Sequence, residues 1–523
     1  MALPKMLKEM LVGEKKFRLV FLLALAVFLT GIPFSRFLMS LAGVILAVNW
    51  ILEGNLIAKT KKVCRSPVVW ICLLVYLVHI LWLIPSENLT YGMQDLWIKI
   101  PLFFVPVVFC TASPLSRKEF QWLLQIYIIG VLISTFSGFF TYLFGSMADK
   151  REMALYISYV RLEINVCFAC YVCLFLVFQK EIHKFNKAGI IAALCWFLFF
   201  MIFSGSMTAI ALFFIVGLIL IVRQAIKSKN VFFRYFVPSL FLMTVIATSA
   251  CIYSVAKRYF KTDFAIETAA KYTSDGNQYF HDASNTYIEN GSYVFTYICD
   301  SELEKAWNKR SCINFSENDK NGYSIRTTLI RYLNSKGLRK DRQGVEALTP
   351  EDISNIENSI ANVKYTHKIN AINRLYVLMW EIGDYCHTGS VKGYSMAQRL
   401  DLWRNSLSLI KKQPWLGVGT GDVKDAFAKE LEINHSSLAG TNMRSHNQYF
   451  SFAIAFGIIG LILIVFSFIY PTVVLHKWKD PLFLTFFLIV LLSMFTEDTL
   501  EPQDGVTFFA FFYSFFLFLN PKT

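Results

Sequence analysis

Arg444-Ser445-His446-Asn447 closes the longest hydrophilic stretch of the chain, Lys257 to Arg444, and stands at the start of an apolar run that opens near Gln448. These residue types suit one kind of chemistry. An imidazole at the first turn of a helix meets unpaired N–H groups and a partial positive charge, which favour the neutral, base-competent ring. His446 is therefore a candidate general base. Arg444, two residues earlier, offers a fixed charge and a fork of donors, the combination that a pyrophosphate needs. Arg161, at the start of another apolar run, and Arg399, on a helix expected from Ser395 to about Lys412, are candidates for the same role. Each has a plainer reading taken singly: an interface anchor for the histidine, a snorkelling or surface side chain for each arginine. Convergence would make a site of them, and a linear sequence does not display it.

Other groupings point less sharply. Gly417, Gly419 and Gly421 form a GxGxG pattern, but it follows a helix rather than a strand and lacks a GK[ST] continuation, so a tight turn is the better reading than a nucleotide loop. Glu497, Asp498 and Glu501 cluster where an apolar run ends; they suit either the orientation of an arginine or acceptor sugar, or a solvated acidic turn. No Ser-His-Asp order and no glycosidase carboxylate pair stands out. No Cys or His spacing suggests a metal site, and no cofactor is expected.

The elements that must position these residues follow from composition. The 523-residue chain is 55% hydrophobic with 49 Phe, and its mean hydropathy is +0.46. At about 20 apolar residues per span, about twelve spans are expected. They lie near 18–33, 36–53, 67–84, 98–112, 120–145, 161–179, 187–204, 206–222, 232–254, 448–471, 481–497 and 506–519. No small-residue cleavage site follows the first, which reads as a retained span. The net charge of +14 is topogenic. With the N-terminus inside, basic residues such as Lys59, Lys61, Lys62, Arg65, Arg117, Lys184, Arg223, Lys477 and Lys479 fall on the inner side. The short outer loops carry Glu87, Asp95, Glu497, Asp498, Glu501 and Asp504, with Lys150 and Arg151 as the exception. This is the positive-inside pattern. It argues against a nucleic-acid partner and places both termini inside and the large loop outside.

The expected organisation is spans one to nine over 1–255, a large loop domain over 256–446, and spans ten to twelve over 447–523. Within the loop, Tyr293–Ile298 reads as a strand and Asp300–Trp307 as a helix with an acidic first turn. Thr349-Pro350-Glu351-Asp352 opens a helix that continues toward Tyr385, and Val423–Leu431 is a short amphipathic helix. Cys299 and Cys312 are either disulfide-bonded or free.

Four motifs in order carry a resemblance: Arg399-Leu-Asp-Leu-Trp403, Pro414-Trp-Leu-Gly417-Val-Gly419, His446-Asn447-Gln448-Tyr449 and Gly457-Ile-Ile-Gly460. Their order, and their place at the end of a long outer loop, resemble the O-antigen ligase and polymerase superfamily of bacterial membrane glycosyltransferases. Arg161 resembles the family arginine at the outer start of a span. Ser204-Gly205-Ser206-Met207 departs from it, since family members often have Arg where Met207 stands. The resemblance implies an all-α polytopic membrane protein with one large, mostly helical periplasmic loop between spans 9 and 10, in the bacterial inner membrane. It implies metal-independent transfer of a glycan from an undecaprenyl diphosphate-linked donor to a hydroxyl on lipid A–core or another glycan acceptor. His446 would be the base, Arg161, Arg399 and Arg444 would bind the diphosphate, and Asn447 would contact substrate or cap the helix. A polysaccharide polymerase and a protein O-oligosaccharyltransferase are alternatives within the class. A polytopic transporter is the alternative outside it.

Overall fold

A computed structural model describes residues 14–145, 147, 149–262, 270–282, 284–285, 287–366, 371–389, 391 and 395–521. The described residues are predominantly helical, at 71%, with almost no strand among them. Among the described residues, eight helices are long and apolar enough to cross a membrane: Lys15–Phe34, Leu89–Thr111, Arg117–Phe144, Tyr159–Val177, Lys184–Ser204, Met207–Ile226, Val231–Phe260 and Gln448–Val474. A ninth candidate is the pair Arg36–Leu52 and Leu56–Cys64, bent by 110°. Pro67–Leu81, Pro481–Ser493 and Gln503–Leu519 coincide with the remaining expected spans but are shorter apolar helices. At 1.5 Å per residue, a 13-residue helix such as Pro481–Ser493 rises about 20 Å, against a hydrocarbon thickness of about 30 Å.

The fourth expected span differs instructively. Its helix starts at Leu89, capped by the Asn88 side chain on Tyr91 N, and not at 98. Asp95 is therefore a buried helical residue, not a loop residue, ion-paired one turn on with Lys99. Hydropathy averaging hides such a pair; the i, i+4 spacing lets the two charges satisfy each other inside an apolar helix.

Packing divides the chain into two compact units: Met1–Arg234 with Leu402–His435 and Ala439–Thr523, and Tyr235–Asp401 with Ser436–Leu438. In the first, Tyr159–Val177 is the most thoroughly buried of the long apolar helices. Phe168 on it meets Phe486, Phe508 and Phe512 at ring-centroid distances of 5.7, 6.0 and 4.9 Å. Such edge-to-face packing adds about 0.5–1.5 kcal/mol per pair beyond area burial.

The second unit packs Trp307, Leu329, Tyr332 and Ile356 among its short helices. Its buried Glu289 accepts from Arg331 Nε at 2.9 Å and Nη2 at 3.2 Å, and from Asn362 Nδ2 at 2.8 Å. Asp300–Trp307 is a helix as expected. The expected strand 293–298 is reduced to Ser292–Tyr293 paired with Ile288–Glu289, because Tyr297 turns the chain at φ +57°. The helix opening at Pro350 ends at Glu357. Ser359 there takes φ +65°, and Ile360 N donates to Asn355 O at 2.9 Å. The chain resumes helix only at Ala371–Thr388. Ser395–Lys412 is one helix; residues 392–394, before its expected cap, lie outside the described residues. Cys299 and Cys312 are free.

Candidate functional site

His446 precedes the helix Gln448–Val474 and sits outside its first turn. Asn447 is the cap: its side-chain oxygen accepts from Tyr449 N at 3.0 Å and Phe450 N at 3.2 Å, and its amide donates to Phe495 O at 3.1 Å. His446 therefore lies where the chain must turn into the helix, and it does so at φ +48°, a conformation that costs a non-glycine residue about 1–3 kcal/mol.

What holds that turn is Asp498. Its Oδ2 accepts from His446 N at 3.0 Å, and its Oδ1 accepts from Ser445 Oγ at 3.0 Å and Ser451 Oγ at 2.7 Å. Burial and the neighbouring Glu501 push the Asp498 carboxyl above the usual aspartate range, while the two serine donors and His446 act the other way. The His446 ring is half-exposed, with Nδ1 3.8 Å from Glu497 Oε2. A carboxylate at that distance favours the imidazolium that forms when the other ring nitrogen takes a proton.

Arg161 and Arg444 meet the same acidic turn from two sides. Arg161 is buried and donates from Nη2 to the Asp498 carbonyl at 2.8 Å. Its Nε and Nη1 have no hydrogen-bond partner among the described residues. Arg444 donates from Nη1 to Glu501 Oε2 at 3.1 Å and from Nη2 to Tyr91 Oη at 3.2 Å. Glu501 is the hub: Lys99 reaches the same Oε2 at 3.3 Å and Gln448 Nε2 donates to Oε1 at 2.8 Å. Burial alone would raise the Glu501 carboxyl, but Lys99, Arg444 and Gln448 outweigh it and hold it below the ordinary range. Burial also acts to lower Arg444, and Glu501 leads the groups that keep it firmly charged. A cavity of about 290 Å³ opens beside this network, lined among others by His79, Tyr91, Lys99, Arg444, Ser445 and Glu501. Ligand pockets start near 300 Å³.

The glycine turn is a structural plug. The helix Gln448–Val474 is broken at Gly457, where φ is +63° and ψ −168°. The break frees the Ile454 and Ala455 carbonyls, which accept from Val418 N at 2.8 Å and Gly419 N at 2.9 Å. In return Ile458 N donates to Pro414 O at 2.8 Å. Backbone left open within an apolar layer is tolerated only when other protein groups satisfy it. A Cβ on Gly457 would lie 2.2 Å from Trp415 O, and one on Gly417 2.4 Å from Ile454 O. The tight-turn reading of Gly417–Gly421 accounts for these contacts.

Of the predicted site residues, His446, Asn447, Arg444 and Arg161 converge on residues 495–501. Arg399 lies half-buried on Ser395–Lys412 in the other compact unit. Asp95, Lys99, Tyr91 and Gln448 are site residues that the sequence reading missed. The Asp95–Lys99 spacing was the available signal; Gln448, inside a His-Asn-x-Tyr motif, offered none of its own. At the departure from the family pattern, Met207 opens the helix Met207–Ile226 behind the Ser206 cap. Four residues before Met207, the Phe203 carbonyl accepts from Lys150 Nζ at 2.8 Å, and that ammonium lies 4.3 Å from the Phe203 ring centroid.

Residues 359–465 match a family model described as O-antigen ligase. No curated protein matches the chain. The matched segment contains the Arg399–Trp403 helix, the glycine turn, the His446–Tyr449 motif and the Gly457 break. The match, over 107 of the 523 residues, supports the O-antigen ligase superfamily as what this chain is similar to.

Proposed function

We propose that the protein is an O-antigen ligase-like glycosyltransferase that moves a glycan from undecaprenyl diphosphate to a hydroxyl of lipid A–core at the periplasmic face of the inner membrane. The observation that carries this reading is the gathering of two arginines, a capped His-Asn pair and three carboxylates on one buried turn beside a cavity with both charged and apolar walls. The acceptor oxygen forms a bond to the anomeric carbon while the bond from that carbon to the diphosphate oxygen breaks. His446 takes the acceptor proton, and Glu497 stabilises the resulting imidazolium. Arg161 and Arg444 neutralise the departing diphosphate. Arg399 belongs to the same set by its motif. An aimed donor in a water-poor site contributes roughly 3–4 kcal/mol to the transition state. The reaction needs no metal, because the leaving group is already a good one and the arginines supply fixed charge.

The test is a reconstituted transfer with purified protein, undecaprenyl diphosphate-linked glycan and lipid A–core in the presence of EDTA. Wild-type transfer that His446→Ala and Arg161→Ala both lose is the expected result. Chain lengthening on the carrier without transfer to lipid A would replace this reading with a polymerase. Transfer only to a protein hydroxyl would replace it with an oligosaccharyltransferase. Movement of the glycan lipid across a proteoliposome with no glycosyl transfer would make it a transporter.

A further inference from the structure

At the far ends of the same helices lies a second construction that the transfer chemistry does not use. Gln448–Val474 starts beside His446 and runs away from it; Pro481–Ser493 runs back and ends just before Glu497. Between their distant ends is a cavity of about 730 Å³ whose wall includes Arg117, His476, Lys477 and Lys479 together with Phe120 and Phe175. It adjoins a groove of about 860 Å³ lined by Leu174, Phe178, Phe214, Leu218 and Ile221. The two share Phe175, Gln179, Pro481 and Leu482. A charged compartment thus opens directly into an apolar one.

The charge is not self-compensated. Asp480 caps the helix Pro481–Ser493, accepting from Leu482 N at 2.9 Å, and also accepts from Asn520 Nδ2 at 2.6 Å. Glu181 pairs with Arg117 at 3.3 Å. Lys477 and Lys479 have no ion pair among the described residues, and two more cations crowd the same edge. Arg223 donates to the Lys479 carbonyl at 2.9 Å, and Lys227 lies 5.9 Å from the Trp478 ring centroid. A soluble anion would match the lysines and leave the groove empty. An amphiphile with an anionic head and an acyl chain fills both.

We infer that this is a binding site for an anionic phospholipid of the bilayer, its phosphate on Lys477 and Lys479 and one acyl chain in the groove along Leu218 and Leu482. By the positive-inside reading this is the cytoplasmic leaflet, opposite the transfer site, so the site holds a structural lipid and not the glycan donor.

The test is native mass spectrometry of the full-length protein in a mild detergent, titrated with phosphatidylglycerol or with phosphatidylcholine of the same chains. Wild type binds phosphatidylglycerol at least tenfold more tightly. Lys477→Gln with Lys479→Gln removes that preference, a loss on the order of tenfold to thirtyfold for two lysines near an anionic head. Leu218→Trp, which fills the groove and leaves the charge alone, weakens both lipids. Equal affinity of wild type for the two lipids, or a preference that survives the double substitution, overturns the site. Competition by glycerol phosphate as strong as that by phosphatidylglycerol, or a Leu218→Trp protein that binds as wild type does, overturns the acyl-chain half of it.

Discussion

Asp498→Asn removes one charge and exchanges one oxygen for NH₂, with almost no change of shape. In the wild type the two carboxylate oxygens accept three hydrogen bonds, from Ser445, Ser451 and the His446 backbone. An amide oxygen can keep the two serines or the His446 N–H, not all three. If it keeps the serines, the new NH₂ faces the His446 N–H, donor against donor. The lost bond to a charged acceptor is worth about 1.5–3 kcal/mol. The His446 backbone at φ +48° costs about 1–3 kcal/mol to hold. The two quantities are of the same size, so without the carboxylate the turn relaxes and the imidazole leaves its place. The expected outcome is a loss of about 2 kcal/mol of stability. Transfer should fall on the order of 100-fold or more, the contribution of a positioned base. The assay is single-turnover transfer from carrier-linked glycan, run beside thermal unfolding in the same detergent. Because burial and Glu501 raise the Asp498 carboxyl, wild-type transfer should also fall on the acid side at a pH above the ordinary aspartate range. The Asn variant should lose the part of that limb that Asp498 contributes. A folded Asp498→Asn protein that transfers at the wild-type rate would refute the idea that this carboxylate positions His446.

Gly457→Ala should cost more than about 3 kcal/mol, since a Cβ would meet Trp415 O at 2.2 Å on a backbone at φ +63°; detergent-extracted yield and melting temperature measure it. Lys340 is buried on Asn334 Oδ1 at 2.8 Å, and burial lowers its ammonium to about 7. Between that value and about 10 the unfolded chain binds the extra proton, so local stability rises with pH in this window, by about 3 kcal/mol up to pH 9.5. Lys340→Met should flatten that slope in hydrogen exchange of residues 297–345. Arg161→Lys should lose more transfer than Arg444→Lys, at least tenfold more in kcat/KM, and equal losses would deny the two arginines different roles.

The apolar helices were legible because each is a long run of one chemistry, and a run survives an error of several residues at its ends. What escaped was polar chemistry folded into those runs. Asp95 and Lys99 reduce the local hydropathy enough to push the expected span nine residues late, although their pairing makes them cheaper to bury than either would be alone. The glycine turn shows a different limit. Its tightness was readable from Gly417 and Gly419, but its purpose lies in Gly457, on a helix that starts thirty residues later. Only the fold brings the Ile454 and Ala455 carbonyls to the turn. Glu497, Asp498 and Glu501 stood as an acidic turn with two readings, because a carboxylate that organises a histidine and one that faces water have the same letter. His446 and Asn447 were visible through their motif, Arg444 through its place two residues before, and Arg161 through its place at the start of an apolar run; none of these signals encodes the turn on which the four meet.

The two arginines of the acidic turn differ in how they are held, and the difference bears on how an anion could enter. Arg444 is charge-balanced by Glu501 at 3.1 Å, with its side chain 41% exposed. Binding a diphosphate there exchanges one anion for another, so the net gain is modest, as for any partly solvated pair. Glu501 is not stranded by the exchange, because Lys99 and Gln448 keep their bonds to it. Arg161 has no such partner among the described residues. It is buried with one donor on a neutral carbonyl and two donors unused among the described residues. A buried guanidinium in that condition costs several kcal/mol, and the fold carries that cost through the surrounding field of Asp498, Glu497 and Asp504. An anion placed against Arg161 would recover it, and the recovery grows as negative charge develops on the leaving oxygen. Arg444, the more exposed of the two, thus suits first contact with the donor's diphosphate, and Arg161 suits the transition state, where fixed donors need no reorganisation. On this view the carboxylates of the turn do not oppose anion binding. They anchor Arg444 and the His446 backbone, and their negative field favours the charged form of both guanidinium groups.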